Sequence, residues 1–401
     1  MGLIGRLLGQ KKQRDPFVVE RGVLIKYRDI GETAVRVPEG VTEIGGSAFE
    51  GCHYITAVTL PAGLRSIGSR AFRGCYALRE LDIPEGVTEI GEGAFFSCES
   101  MERVSLPQSL ETLGAAAFRN CAALRSVTIP GGVSAIGEHT FFRCAALAEV
   151  IFPERLEKLG TGAFSCCTSL RSVRIPDGIV SIRPECFESC EGLVSAELPS
   201  TLEKIGEQAF FQCYRLRDIV IPPRVTRIGA QAFGYCEQAE RLSLPESAGD
   251  IADDAFRGCK RLSRLNIGAA YVRCDSEVKT WQIIAMMTVM RSGTLDTAAA
   301  ASGLSAGKKA QLALGLLRKN ADPAAARFIA ENIGIVYPMI IRENRFDDIE
   351  TLLSTEPPPA AVDEMMSFAI EAKAHEMYVT LEKYKESHDG FASSASERFA
   401  L

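Results

Sequence analysis

Residues 55–75 carry the pattern that decides the fold: ITAVTLPAGLRSIGSRAFRGC. The stretch opens with apolar side chains at Ile55, Val58 and Leu60, a spacing that predicts a short strand with one buried face. Pro61 has no backbone N–H group to donate to a neighbouring strand. The strand is therefore expected to end at this proline.

The second half of the stretch predicts a tight corner. Gly68 follows Ile67 and is expected to supply the positive φ that such a corner needs. Ala71, Phe72 and Cys75 then fall at one-turn spacing, so a short helical turn can point all three side chains inward. One such unit has an apolar side that it cannot bury alone.

The unit repeats every 23 residues, ten times, without an insertion or a deletion. Each copy contains a phenylalanine at the same position: Phe49, Phe72, Phe95, Phe118, Phe141, Phe164, Phe187, Phe210, Phe233 and Phe256. A cysteine follows each phenylalanine three residues later, from Cys52 to Cys259. Stacked units place each strand beside the next and each phenylalanine on the previous one, which creates a continuous core. The sequence therefore predicts a repeat solenoid with a parallel sheet.

The consensus L-x-x-V-x-L-P-x-x-L-x-x-I-G-x-x-A-F-x-x-C closely resembles the BspA-like (Treponema-type) class of leucine-rich repeat. The resemblance covers residues 34–267, where Val35 and Val37 fit one further strand before the first full unit. Residues 17–27, FVVERGVLIKY, resemble the capping segment that precedes such arrays. The resemblance implies a mostly bacterial family whose members bind proteins or other macromolecules, many of them at the cell surface.

The repeat pattern divides the chain into five parts. These are an N-terminal tail over 1–16, a capping segment over 17–33, the leucine-rich-repeat solenoid over 34–267, a helical domain over 268–386 and a flexible tail over 387–401. In the helical domain the sequence predicts helices over 276–291, 308–319, 322–332, 347–353 and 364–385. Residues 345–353 and 368–384 weakly resemble ankyrin-type helix pairs. The alternative is a plain helical cap over the open end of the sheet.

Charge and hydropathy argue against a nucleic-acid partner, an export or lipid-anchor signal and a membrane span. The formal net charge of −6 is spread without a basic surplus, so a nucleic-acid partner is not expected. The first 14 residues lack the order of basic and apolar segments found in signal peptides, and Arg6 replaces the Ser or Thr of a lipid-anchor motif at Gly2. The apolar stretch 283–290 is too short to span a bilayer. The sequence predicts a cytoplasmic protein.

The thirteen cysteines admit three interpretations. Stacking would bring equivalent Cα atoms to about 5 Å, inside the disulfide range. However, parallel side chains at ten equal sites have no preferred pairing. Zinc needs four converging ligands, and only Cys166 and Cys167 are adjacent. We therefore expect buried free thiols that fill small apolar spaces, and no metal site.

No pattern in the sequence predicts an enzyme. His53 and His139 fall at different repeat positions, whereas His375 and His388 lie in or beside predicted helices without a Glu-x-x-His spacing. No phosphate-binding glycine motif or serine-nucleophile motif occurs. We expect no catalytic residues and no cofactor.

The outward positions of the strands are the predicted binding surface. Arginine occupies every second repeat at one such position, in Arg79, Arg125, Arg171 and Arg217. The neighbouring position adds Arg103, Glu149, Asp218 and Arg241 to the predicted site. Two explanations stay open for the arginines: charge pairing between neighbouring strands, or contact with an acidic partner. The alternation could also come from duplicated two-repeat blocks.

The function expected from these patterns is a non-catalytic scaffold that binds a protein or another macromolecule on the outward strand face. The alternative is a bacterial cell-surface adhesion or host-binding protein.

Overall fold

The computed structural model describes residues 15–274, 278–295 and 303–388. Nearly all of the two predicted tails, 1–16 and 387–401, lies outside these residues. The described chain forms two compact units. Unit 1 falls within Met1–Arg217, Arg224–Gln238 and Asp254–Gly258, and unit 2 within Asp218–Pro223, Ala239–Asp253 and Cys259–Leu401.

Unit 1 begins with an antiparallel hairpin. Strands Phe17–Glu20 (β1) and Val23–Tyr27 (β2) pair across the turn at Arg21 and Gly22, both of which have positive φ. Strand β2 then pairs in parallel with Glu43–Ile44 (β4), Val23 opposite Glu43 and Leu24 opposite Ile44. The residues predicted to form the capping segment thus continue directly into the repeat array.

Each repeat in unit 1 contributes two short strands. The first series is Ala34–Arg36 (β3), Ala57–Thr59 (β5), Glu80–Asp82 (β7), Arg103–Ser105 (β9), Ser126–Thr128 (β11), Glu149–Ile151 (β13), Ser172–Arg174 (β15) and Ser195–Glu197 (β17). The second series is β4, Ser66–Ile67 (β6), Glu89–Ile90 (β8), Thr112–Leu113 (β10), Ala135–Ile136 (β12), Lys158–Leu159 (β14), Ser181–Ile182 (β16), Lys204–Ile205 (β18) and Arg227–Ile228 (β20). Paired residues are 23 apart, as in Val35 opposite Val58, which confirms the predicted parallel solenoid.

The core of unit 1 is a stack of phenylalanine rings. The ten repeated phenylalanines, Phe49 to Phe256, are at most 2% exposed. Neighbouring ring centroids lie 4.8 to 5.7 Å apart, and the ring planes differ by 2° to 11°. Tyr27 of the hairpin extends the stack, 5.1 Å from Phe49. Each repeat forms one turn of the solenoid, here called a rung. The phenylalanine of each rung therefore stacks on that of the next, and together they form one apolar column, as the spacing predicted.

The corner differs from the prediction in two ways. Gly68 does not have a positive φ; that conformation occurs two residues later, at Arg70 (φ 58°). The repeated glycine is needed instead for close approach, since a Cβ on Gly160 would lie 2.5 Å from the backbone carbon of Gly137 in the preceding rung. The segment around Phe72 is also a turn rather than a helical turn, because its N–H group donates to the Ala94 carbonyl of the next rung, at 2.7 Å.

Unit 2 contains the last strands and all the described helices. Its four-stranded sheet has the order Asp218–Val220 (β19), Arg241–Leu244 (β21), Arg264–Ile267 (β23) and Ala270–Arg273 (β24), and Asp250–Ile251 forms β22. The first three strands of the sheet are parallel, whereas β24 folds back antiparallel to β23 after Gly268 (φ 56°). The array therefore ends in a hairpin, which the sequence did not predict.

Seven helices follow in the described residues: Thr280–Ser292 (α1), Ala306–Asn320 (α2), Pro323–Glu331 (α3), Ile333–Arg342 (α4), Phe346–Leu353 (α5), Pro359–Glu371 (α6) and His375–Ser387 (α7). The predicted all-α region is confirmed. Helix α3 begins as expected, with Pro323 in its first turn and the Asp322 carboxylate accepting hydrogen bonds from two backbone N–H groups. Helix α4 was missed because it contains Gly334 and Pro338, which both disfavour helix interiors.

Helix α2 covers strand β24. Gly315 permits the contact, since a Cβ on it would lie 2.5 Å from the Cβ of Ala270. The side-chain oxygen of Gln311 accepts a hydrogen bond from the backbone N–H of Arg273, at 2.5 Å. A side chain of α2 thus satisfies part of the backbone hydrogen bonding of β24, the edge strand of this sheet. The ankyrin-type and helical-cap interpretations both stay predictions.

Candidate functional site

The outward strand positions form an aligned row. In this row the backbone N–H of Glu102 donates to the Arg79 carbonyl at 2.7 Å, and that of Ala148 donates to the Arg125 carbonyl at 2.9 Å. Equivalent residues of successive repeats therefore lie side by side. We call Arg79, Arg125, Arg171 and Arg217 the arginine row; all four are exposed.

The neighbouring row consists of the first residue of each strand and carries the remaining predicted site residues. Arg103, Glu149 and Arg241 are exposed, and Asp218 is half-buried. Both rows thus face outward, where a macromolecular partner could reach them.

Two arginines of the predicted site, Arg103 and Arg125, are paired with acidic residues of neighbouring strands. Arg103 contacts Glu80 at 3.1 Å and Asp82 at 3.0 Å. The Arg125 Nη2 atom lies 2.8 Å from the Glu102 Oε2 atom. Cross-strand charge pairing therefore accounts for these two arginines.

Arg241 makes the best-defined ion pair of the predicted site. Its Nε donates to Oδ1 of Asp218 at 2.5 Å, and its Nη2 donates to Oδ2 at 2.7 Å. This bidentate contact matches the planar geometry of the guanidinium group, and the hydrogen bonds to Asp218 raise the pKa of Arg241. The pair joins β19 to β21, so at this position the charges have a structural explanation.

The other three arginines of the row are unpaired. Within the described residues, Arg79, Arg171 and Arg217 have neither an ion pair nor a side-chain hydrogen bond. Their guanidinium groups keep all their donors available, and arginine matches carboxylate and phosphate geometry. Charge pairing within the sheet therefore does not explain the whole row.

The rows also enclose a concave region at the N-terminal end of the strand face. An open depression of about 810 Å³ is lined by Arg79, Arg103 and Arg125 together with Thr56, Ala57, Glu80, Glu102 and Ser126. It brings three predicted site residues from three successive repeats together. Arg171 lines a second, smaller depression of about 300 Å³ with Tyr214 and Arg215.

The repeated cysteines, Cys52 to Cys259 at 23-residue intervals, form a column of buried thiols that we call the cysteine column. All thirteen cysteines are free, and all except the half-buried Cys166 are buried, as expected for apolar fillers. Each thiol from Cys75 to Cys236 in the column donates to the carbonyl of the phenylalanine 26 residues earlier, at 3.2 to 3.4 Å. Burial raises the pKa of Cys144 to about 12 and that of Cys52 to about 11. These thiols stay protonated near neutral pH and are poor nucleophiles.

His53 and His139 contact different aromatic rings. His53 stacks on Tyr76 with centroids 4.8 Å apart, and His139 meets the edge of Phe142 at 5.4 Å. His375 begins α7 and is exposed. Among the described residues, no group of three or more His, Cys, Asp or Glu side chains is arranged to hold a metal ion.

Sequence reasoning missed a second outward feature, in which arginines and phenylalanines alternate. Arg119 lies between two rings, with its guanidinium carbon 5.7 Å from the centroid of Phe96 and 4.6 Å from that of Phe142. Arg73 also lies over the Phe96 ring, at 5.3 Å, and Arg143 over the Phe142 ring, at 5.2 Å. The 46-residue spacing of Phe96 and Phe142 was visible in the sequence and is again two repeats long.

Sequence reasoning also missed a charged cluster in unit 2. The Asp348 side chain is 3% exposed and contacts Arg318 at 3.1 Å and also Arg345. Arg345 is 10% exposed and lies 4.8 Å above the ring of Tyr271. Burial raises the pKa of Asp348, against the opposing effect of the two arginines. No local signal marks this cluster, since its members are up to 77 positions apart in the chain.

Comparison with known proteins identifies the repeats. The sequence matches the family described as BspA type leucine rich repeat region, with six copies over residues 27–148 and 134–263. These matches together span more than half of the chain. The chain belongs to the BspA-type leucine-rich-repeat family. The predicted resemblance is thereby confirmed, and proteins built from such repeats generally act as scaffolds for protein interactions.

Solved structures of bacterial leucine-rich-repeat proteins are similar to this chain. One from T. pallidum is 32% identical and matches over 48% of this chain and 82% of its own length, with a TM-score of 0.37. One from Bacteroides ovatus is 29% identical over 63% of this chain and 85% of its own, with a TM-score of 0.39. A leucine rich cell surface protein from Faecalibacterium prausnitzii is 26% identical over 62% and 86%, with a TM-score of 0.40. Among curated proteins, no match is found.

The helices were also compared with the length and composition that a membrane span needs. No single helix in the described part of the chain meets that requirement. Helices α3 and α4 meet it only jointly, and they are bent by 89° at the break between them.

Proposed function

We propose that this protein is a non-catalytic scaffold that binds an acidic region of a protein partner on its outward strand face. The observation that carries the proposal is a set of exposed arginines on aligned rungs that have no ion pair with any described residue: Arg79, Arg171 and Arg217. An acidic partner would supply the carboxylates that these guanidinium groups lack. The repeat array supports this role because aligned rungs hold the arginines at regular intervals without any induced fit.

Charge reversal tests the proposal. The partner is first captured with the full chain and identified, and its affinity is then measured against the variant Arg79→Glu/Arg171→Glu. Removal of two charge-assisted contacts is expected to weaken binding by about 100-fold, from roughly 1.5 kcal/mol or more per contact. The matched control is Arg155→Glu/Arg183→Glu, which reverses two exposed arginines away from the strand face.

Two outcomes separate this proposal from its alternatives. Equal affinity of the strand-face variant and the wild type would exclude the arginine row as the binding site. Equal weakening by the control variant would show a general charge effect and would also contradict the proposal. Binding to a nucleic acid instead of a protein would overturn the expected class of partner.

We propose a cytoplasmic location for the same scaffold. The thirteen cysteines are unpaired, and reduced thiols are typical of proteins in reducing compartments. Fractionation of the native cells tests this point. Protein found mainly at the cell surface would favour the adhesion alternative and would leave the strand face as the surface to test.

A further inference from the structure

Three arginines lie side by side on the last strands of unit 2. Arg241 on β21 is the register partner of Arg264 on β23, and Arg264 is the register partner of Arg273 on β24. Residues opposite each other on adjacent strands are only about 5 Å apart, where like charges are destabilising. Such a row of guanidinium groups needs negative charge close by.

Acidic side chains of the protein neutralise the outer two arginines only. Arg241 is held by Asp218 through the two hydrogen bonds described above, and Arg273 contacts Glu343 at 3.4 Å. Arg264, in the middle, has no ion pair and no side-chain hydrogen bond within the described residues. Its positive charge is flanked by two others, and no side chain of the described residues compensates it.

Arg264 lines an open cavity that has the volume of a ligand site. The cavity has a volume of about 630 Å³ and is also lined by Tyr271, Arg273, Arg318 and Arg345. Small-molecule sites range from about 300 to 1,000 Å³. Four arginines face three carboxylates of the lining, Glu343, Asp347 and Asp348, which leaves one net positive charge.

A second donor in the same cavity lacks an acceptor. The Arg345 Nη2 atom donates to the carbonyl of Tyr271 at 3.2 Å. Nη2 also contacts Asp348, whereas the Nη1 atom is buried, has no hydrogen-bond partner and lies 3.7 Å from an oxygen of Glu343. A buried donor without an acceptor carries a desolvation cost. The side chain is nine-tenths buried and fixed over Tyr271, so the unsatisfied donor is held in place.

We propose that this cavity binds an oxyanion group, a carboxylate or a phosphate, which contacts Arg264 and takes up the free donor of Arg345. An oxyanion supplies acceptors for the Arg264 guanidinium and for the Nη1 atom of Arg345, and one negative charge balances the net charge of the lining. The site lies entirely in unit 2. It is therefore independent of the arginine row and of the partner proposed for it.

The test titrates the full chain with inorganic phosphate and, separately, with acetate, at constant ionic strength set with chloride. Binding is measured by calorimetry, and the thermal midpoint is followed in parallel because a ligand of the native state raises it. Saturable binding of either anion supports the site, and the anion that binds more tightly identifies the preferred group. Absence of binding of both anions would overturn the proposal.

Substitution of the central arginine locates the site. Arg264→Gln is expected to weaken anion binding about tenfold or more, the effect of one charge-assisted hydrogen bond. The control Arg36→Gln removes the same charge from an exposed position on β3 and should bind like the wild type. Wild-type affinity in Arg264→Gln, or equal losses in both variants, would contradict the assignment.

A charge reversal separates loss of binding from loss of folding. Arg264→Glu places a carboxylate between Arg241 and Arg273, so the variant supplies within the chain what the cavity is proposed to bind. Its thermal midpoint without anion should equal or exceed that of the wild type, and phosphate or acetate should no longer raise it. A lowered midpoint together with a retained anion response would refute the proposal.

Discussion

The repeat array and the helical region bury different kinds of side chain. In the array the core consists of stacked phenylalanines, aliphatic residues and protonated thiols, and its ion pairs, such as Arg125 with Glu102, are exposed. Among the residues that the structure describes, the buried charged side chains are Lys308, Asp322 and Asp348, and all three lie in unit 2. A rung that repeats must suit every neighbouring copy, and apolar groups do so without a specific partner. A buried charge needs one particular partner, which only a non-repeated contact provides.

The largest expected effect breaks the array. Phe141→Ala should lower the free energy of unfolding by about 3–5 kcal/mol, because it leaves a cavity between two stacked rings. The adjacent Phe142→Ala is the matched control: this ring is half-exposed and contacts Arg119 and Arg143, so its loss should cost clearly less. Urea unfolding of both variants measures the difference. Equal losses would mean that the stacked column has no special part in stability.

The next effect tests the buried charges of unit 2. Arg345→Ala should cost about 3 kcal/mol, because removal of one member of a buried ion pair leaves the other without its partner. Arg318 still contacts Asp348, which limits the loss. Arg327→Ala removes an exposed arginine of α3 and should have almost no effect. Chemical denaturation followed by the single tryptophan, Trp281 in α1, reports on this unit. A null result would show that the cluster contributes nothing to stability.

A smaller effect concerns the close approach of successive rungs. Gly160→Ala should destabilise the array by about 1–3 kcal/mol, since its Cβ meets the backbone of the preceding rung. Gly131→Ala is the matched control because no atom lies within 4 Å of a Cβ there and its φ is negative or extended. That substitution should be neutral or stabilising by up to about 1 kcal/mol. Thermal unfolding of the two variants measures this difference. Equal losses of stability would mean that loss of glycine itself, and not the close approach of the rungs, causes the effect.

The smallest effect is a difference in thiol reactivity without a change in stability. In the native protein at pH 8, Cys166 should react first with a disulfide reagent because it is the one half-buried cysteine among the described residues. The pKa of Cys144 is raised to about 12 by burial, so its thiolate is scarce at that pH. Cys166→Ser should remove the fast phase, whereas Cys144→Ser should leave it. Rapid labelling of several column cysteines would show that the rungs open readily.

The repeat array could be predicted in detail because its information is local and repeated. Phe72, Cys75 and the valine of each strand recur at one interval, and identical intervals place identical side chains on top of each other. The corner was the exception. Glycine was correctly singled out, but its reason was the approach of the next rung rather than its own φ, and a distance between rungs is not visible within one repeat.

The outward position of these residues could be predicted from the sequence, but not whether each arginine is paired with an acidic residue. The alternation of arginine was evident in the sequence, and all four members of the arginine row are exposed. Only the structure separates Arg125, which is paired with Glu102, from Arg79, which is not. Pairing depends on side-chain conformations of neighbouring rungs, and the same residue types at the same spacing allow either outcome. Whether the unpaired arginines bind a partner stays a prediction.

The sequence by itself determined the solenoid, its interval and its core, because a strict period leaves only one way of burying the apolar side of each unit. Only the tertiary structure decided which charged residues of unit 2 are buried and which are paired. It folded β24 back on β23, set Arg264 between two arginines and buried Asp348 beside Arg318 and Arg345. The Arg318–Asp348 contact spans 30 positions, and the β24 hairpin departs from the 23-residue period. These positions therefore follow from packing and not from the repeat pattern.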